Sequence, residues 1–415
     1  ESNHSDGSGA GIQSSYSDIR LNYSQFLNNI AVQEGGAVSA GGSSGSTHTF
    51  IINNTIIDSN SSGIQGGGLI FFHPGDIQIN NCNITNNIVH ESDWGSYGNG
   101  GGIVAKIGAS PIITNSVISG NSAIEGDLSE NQGRGGGLYA EENGHFEIIN
   151  STVIDNHANK GGGLYLWYGA DANITESNIT NNDATWGGGI SIDNQYGQSI
   201  LNLNSTLISN NISNTAGGGL SATGTSGSNV TIHDSKINDN ISNDFAGGIF
   251  CQPCNLAIHN SEITGNSALE YAGGIELNFT SFVNNPIFNN ITVADNSAGA
   301  YGGGIFVGNG EVLPEIDISN SIVWSNTPDE IWLNNGYGDC TNVPTLNINY
   351  SDVNIDNVFN DCNSLNWSEN NISEDPLFNE DYLLYSNSPC IDSGDPDLDN
   401  DGIMWENDPN DEDPD

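Results

Sequence analysis

Positive charge is almost missing from this chain. Five basic residues (Arg20, Lys106, Arg134, Lys160 and Lys236) stand against 51 acidic ones, a formal net charge of −46. Ordinary nucleic-acid binding is excluded, because it needs clustered Lys and Arg to displace counterions. Such a surface suits solubility in a salty or calcium-rich medium. Long apolar runs are missing too. No stretch reaches the roughly 18 apolar residues of a membrane span. Sustained 3.6-residue periodicity is absent, so helix is expected to be nearly absent. No signal-peptide pattern opens the chain, which begins at Glu1, as expected of a mature or trimmed product. The six cysteines fall at no four-ligand zinc spacing. Cys251 with Cys254, and Cys340 with Cys362, are candidate disulfides, and an extracellular compartment is expected.

What the chain has is a repeat. Glycine is abundant (54 residues) and arrives in runs, as in "NKGGGLYLWYG" and "TWGGGISIDNQ". The apolar residue after each run falls at Val38, Leu69, Ile103, Leu138, Leu164, Ile190, Leu220, Ile249, Ile275 and Ile305. The mean period is about 30 residues. A second signature, Ser-x-Ile-x-x-Asn, keeps step with it. Its Asn recurs at Asn29, Asn60, Asn87, Asn121, Asn156, Asn182, Asn210, Asn240, Asn266, Asn296 and Asn326. Its serine is found at Ser116, Ser151, Ser177, Ser205, Ser235 and Ser261, with Cys82 in the same place. Short alternating strands lie between. A period near 30 built of strands and turns predicts a solenoid whose successive coils pair in parallel, about 4.8 Å apart. Identical positions then stack. Asparagine suits a turn and a side-chain ladder, and glycine a sharp corner.

"FLNN" (Phe26 to Asn29) and "GGAV" (Gly35 to Val38) resemble the FxxN and GGA[ILV] repeats of chlamydial polymorphic outer membrane proteins. The resemblance spans about residues 9 to 330 and implies a right-handed parallel β-helix on a cell surface. It implies no single function.

Several residues are candidates for chemistry. Leu164 and Leu166 are expected inside, with Tyr165 and Trp167 outside. The outward column includes Tyr139, Tyr165, Phe250, Glu276 and Phe306. Tyr139, Tyr165, Trp167, Phe250 and Phe306 are therefore candidate partner-binding residues, unless an insertion such as His90 to Gly100 folds over them. His233 and His259 should stack one coil apart, as a surface pair rather than a metal site. Cys82 reads as a small interior residue. Asn150, Asn173 and Asn204 open sequons that the repeat itself generates. Near the end, "DPDLDNDGIMWEND" places Asp397, Asp399, Asp401, Gly402 and Asp408 at calcium-loop spacing. It resembles the EF-hand-like loops of dockerins and thrombospondin type-3 repeats, which implies Ca²⁺ as cofactor. Pectate-lyase and polygalacturonase patterns are not matched: "GHF" at Gly144 to Phe146 is the nearest approach, and no Arg-Ile-Lys occurs.

These readings predict an all-β chain. A right-handed parallel β-helix of about a dozen coils, each of about 26–35 residues, covers 1–326. Degenerate coils and a cysteine-containing cap cover 327–394, and an acidic calcium-binding-like tail covers 395–415. The expected function is an extracellular structural or adhesive solenoid without catalysis. Because only a short polar lead precedes the first coil, head-to-tail assembly into a filament is one expected form, and a chain cut from a longer protein is the other explanation. The alternative function is a polysaccharide-active or glycan-binding β-helix.

Overall fold

The structure is a computed structural model. It describes residues 2–394 apart from 43–47, 91–97, 124–132, 196, 280–284, 309–313, 334–343, 361–363 and 392. Three main strands per coil, followed in most coils by a short fourth one such as Ser61–Ser62 or Ile241–Ser242, wind into a parallel solenoid. The first strand of the first ladder is Ile12–Ser15 and the last is Val358–Asn360. Every pairing along it is parallel and in register, as Val38 with Leu69, Leu164 with Ile190, and Ile305 with Ile331. From Ile12 to Val358 is 346 residues in twelve steps, so a coil averages about 29 residues and the rod is about 58 Å long. A second and a third ladder follow the other two sides of each coil, for example Ile174 with Leu203 and Ile179 with Ile208. The one helical turn among the described residues is the 3₁₀ segment Ile355–Asn357.

The core follows from the period-2 alternation. Leu164 and Leu166 of the first ladder meet Ile174 of the second and Ile179 of the third, all fully buried. One column of aliphatic residues per inward position fills the cylinder, so no coil could bury its face alone.

The two sequence signatures prove to be one unit. The Asn182 Oδ1 atom accepts from the backbone N–H of Asn156 (3.0 Å) and from its Nδ2 (3.0 Å). Asn182 Nδ2 donates onward to Asn211 Oδ1 (3.0 Å) and to the Val153 carbonyl (3.0 Å). The same pattern runs from Asn29 to Asn326, with these side chains all but inaccessible to solvent. Such a ladder satisfies buried turn amides that water cannot reach. The glycine run makes room for it. Gly161 has φ +63°, and a Cβ on Gly163 would lie 2.7 Å from the Gly189 carbonyl and 3.2 Å from Asn182 Cγ.

The serines form a second ladder: Ser116 N–H donates to Ser151 Oγ (3.1 Å), and Ser151 N–H to Ser177 Oγ (3.1 Å). Cys82 occupies the same column, buried, its N–H donating to Ser116 Oγ (3.0 Å). Two expected positions are corrected here. The ladder members in the coil of Leu201 are Thr206 and Asn211, not Ser205 and Asn210. Ser205 and Asn210 sit one residue earlier with φ of 49° and 55°, as turn residues.

The ladders continue past 326. Ile331–Leu333, Thr345–Asn349, Asp352–Val353 and Leu365–Trp367 add strands to all three sides. What stops at Asn326 is the asparagine ladder. Glu330 closes it, its Oε2 accepting from Asn326 N–H (3.0 Å) and Nδ2 (2.6 Å). The segment after Ile372 folds back along the third ladder, where the Tyr382 hydroxyl donates to Asp295 (3.0 Å). A cavity of about 460 Å³ lies along that seam, between Ile291, Tyr350, Phe378 and Leu384.

Cys251 and Cys254 are joined in a disulfide, both buried in the core. Other coils turn this corner on left-handed residues such as Ile107 and Tyr168 (φ 55° and 57°). Here none of residues 251–255 has a positive φ, and the disulfide spans the corner instead. Cys340, Cys362 and the tail with Asp397, Asp399, Asp401 and Asp408 lie outside the described residues.

Candidate functional site

Each first-ladder strand presents its second and fourth residues outward. The second-position column reads Ile70, Val104, Tyr139, Tyr165, Ser191, Ser221, Phe250, Glu276, Phe306. The fourth-position column includes Lys106, Glu141, Trp167, Asp193, Thr223 and Gln252. A third column stands before the glycine runs, where Asn99, Arg134, Lys160 and Trp186 follow one another by parallel bridges. Three of the five basic residues of the chain thus converge on one face.

They are matched there to acids and rings. Lys106 Nζ lies 2.6 Å from Glu141 Oε1, and Gln65 Nε2 donates to the same oxygen (3.2 Å). The Tyr139 hydroxyl donates to Glu141 Oε2 (2.7 Å). Lys160 Nζ lies 2.9 Å from Asp193 Oδ2. The Arg134 guanidinium stands 4.7 Å from the Trp167 ring and 5.6 Å from that of Tyr165, within cation–π range. Tyr139 and Tyr165 stack, with centroids 5.8 Å apart. Burial raises both phenols well above their ordinary value; Glu141 adds to the effect at Tyr139, and Arg134 opposes it at Tyr165.

This geometry corrects the expectation for the outward aromatics. Tyr139 and Tyr165 are fully buried and Phe250 nearly so. They form two outer clusters: Ile70, Val104, Tyr139 and Tyr165 with Phe72 and Trp167, then Phe250 with Ala216, Ala246 and Ala272, packed by Trp186, Phe245 and Phe306. Of the five expected contact residues, a partner could touch only the half-buried Trp167 and Phe306. The alternation separates inside from outside the cylinder, but a second apolar layer on the outside is invisible to it.

Between the two clusters the bulky column is interrupted by Ser191 and Ser221, and a pocket of about 570 Å³ opens there. Ser191 and Asp193 line it, together with Lys160, the Trp186 indole, Thr223 and Gln252. The disulfide-spanned Pro253 closes one side. Its size and its mix of one aromatic wall with a few polar groups are those of a small-molecule site. Sequence reading missed it, because its wall and rim come from four different coils.

Elsewhere, His233 and His259 stack as expected, with centroids 6.1 Å apart. His233 Nδ1 also meets Asp234 (2.8 Å). Burial and the neighbouring His233 lower the pKa of His259. Among the described residues no three His, Cys, Asp or Glu side chains gather as a metal site. None of the described helices is long and apolar enough to cross a membrane.

No curated protein and no solved structure matches the chain. A family model described as "Right handed beta helix region" matches residues 163–344, which include every residue named at the pocket except Lys160. That match and the continuous parallel ladders agree: the chain is a right-handed parallel β-helix repeat protein.

Proposed function

We propose that the protein is an extracellular adhesive solenoid, a rigid rod whose recognition face is the outer side of the first ladder, and that it performs no catalysis. The observation that carries this reading is the matching of charge on that face. Lys106 is held by Glu141 and Lys160 by Asp193, while Arg134 lies against Tyr165 and Trp167. A general acid or base works best with a pKa near the operating pH. Here burial moves the phenols further from neutrality, and Glu276, which burial pushes up to about 8, is almost inaccessible to a substrate. The likeness of "FLNN" and "GGAV" to chlamydial surface repeats, the Cys251–Cys254 disulfide and the acid excess support an extracellular setting.

The second reading is a polysaccharide-active β-helix, and the pocket over Ser191 favours it. One experiment separates the two. Labelled protein is applied to cell surfaces and extracellular polymers, and in parallel to neutral and acidic polysaccharides with products sized by chromatography. Saturable adhesion with uncut polymers is the expected result. Depolymerisation lost on replacing Glu141 or Asp193 by the matching amide would put the enzyme reading in its place. End-to-end association of copies is a further form of the adhesive reading. Electron microscopy with and without EGTA reads it: fibres that loosen on chelation support it, and monomers at high concentration with calcium rule it out.

A further inference from the structure

We infer that the pocket over Ser191 binds one uncharged sugar residue of a neutral glycan. This rests on reading the first-ladder outer face as the recognition face, and it names the ligand class. The pocket exists because two serines replace the large residues of the column. On one side the column holds Tyr165, on the other Phe250, both buried. A third column supplies the Trp186 wall, and the next coils supply Thr223 and Gln252.

The charges present select against other ligands. An anionic ligand would find one cation, Lys160, already 2.9 Å from Asp193. It would also approach a chain of net charge −46. A cationic ligand would meet Lys160 in front of the single pocket carboxylate. A purely apolar ligand would bury the Ser191 hydroxyl and the Gln252 amide, neither of which is hydrogen-bonded among the described residues. Leaving such groups dry and unpaired is unfavourable. The Thr223 hydroxyl donates to the Ile192 carbonyl (3.2 Å), so its lone pairs remain to accept. An uncharged ligand with hydroxyls around its rim and a C–H face for the indole satisfies all of these groups at once.

Two substitutions test this without dismantling the solenoid. Ser191→Tyr places a third tyrosine beside Tyr139 and Tyr165, a side chain this column already accommodates, and fills the pocket. Gln252→Ala removes a half-buried amide outside the core. Circular dichroism and melting establish that both variants fold. The full chain is then titrated calorimetrically with neutral gluco-, xylo-, manno- and galacto-oligosaccharides, with oligouronates, and with an oligolysine peptide. At least one neutral oligosaccharide should bind at least tenfold more tightly than any uronate or the peptide. Ser191→Tyr should weaken it at least thirtyfold and Gln252→Ala about tenfold. The inference is overturned if no neutral oligosaccharide binds, if uronate or peptide binds more tightly, or if Ser191→Tyr binds as the parent does. Should adhesion persist in Ser191→Tyr while every sugar fails, the sugar assignment falls and the adhesive reading stands. Should a neutral sugar bind in the pocket while adhesion is absent, the reverse holds.

Discussion

Asn210 and Asn211 are adjacent, identical in type and indistinguishable by the repeat pattern, yet they should differ severalfold in what they contribute to stability. Asn211 Oδ1 accepts from the backbone N–H of Asn182 (2.9 Å) and from its Nδ2 (3.0 Å). Asn211 Nδ2 donates to the Ile179 carbonyl (2.9 Å) and to Asn240 Oδ1 (2.9 Å). Asn211→Ala leaves the buried Asn182 N–H without its acceptor and takes a donor from Ile179. Asn182 Nδ2 keeps the Val153 carbonyl, and Asn240 Oδ1 keeps the Asn211 N–H, so those two are spared. One orphaned buried donor at about 1–3 kcal/mol, one lost hydrogen bond at about 1 kcal/mol and a small void give about 3 kcal/mol. Asn210 is exposed and contributes a left-handed turn at φ 55°. Asn210→Ala loses that tolerance and a hydrogen bond from Nδ2 to the neighbouring Ser209 hydroxyl (3.2 Å), together about 1 kcal/mol. Guanidinium unfolding followed by circular dichroism gives the two values. Because a solenoid can open coil by coil, hydrogen exchange over residues 178–212 should be read alongside, and it should accelerate in Asn211→Ala alone. Equal destabilisation by the two variants would refute the ladder argument.

Three further outcomes are expected. Glu276 stands between Phe250 and Phe306, almost inaccessible, and burial pushes its carboxyl up to about 8 against 4.5 unfolded, Asn278 opposing and Asp244 adding. Between those values the native state holds the extra proton, so stability falls as pH rises through that window and levels off above it; Glu276→Gln should flatten the profile and stabilise the protein at pH 8, as thermal melts across pH would reveal. Replacing both Cys251 and Cys254 by alanine should lower stability by about 1–3 kcal/mol and make melting insensitive to reductant, the loop being short. Calcium binding by the acidic tail is proposed from its spacing alone; calorimetric titration with Ca²⁺ should show one site, lost in Asp401→Ala and tighter in Asp408→Glu, glutamate being the usual bidentate residue at the twelfth loop position.

How much of this was legible depends on how many coils a feature needs. The glycine corners and the asparagine ladder repeat in nearly every coil, so stacking writes them into the sequence as columns. The coil of Leu201 was misread because "NSTLISNN" carries Ser-x-Leu-x-x-Asn and Thr-x-Ile-x-x-Asn one residue apart. The choice between them is made by which side chain enters the core: Ile208 is fully buried and Leu207 is not. A one-residue slip would turn every inward residue of that strand outward. The boundary at 326 was half legible. It marks the place where Glu330 ends the asparagine ladder and glycine clearance is no longer needed, while the strands themselves run on to Trp367.

The pocket was not legible at all, and the reason is physical. In a solenoid a conserved position is filled in every coil, and its repetition announces it. A binding site is made where the filling stops. Ser191 and Ser221 look unremarkable in a repeat rich in serine, and Trp186, Ser191 and Asp193 belong to three different columns. Only the juxtaposition of four coils turns two small side chains into a cavity with an indole wall and a neutralised ion pair. In this chain, then, the residues that repeat hold the rod together, and recognition is to be sought where the repeat departs from its own pattern.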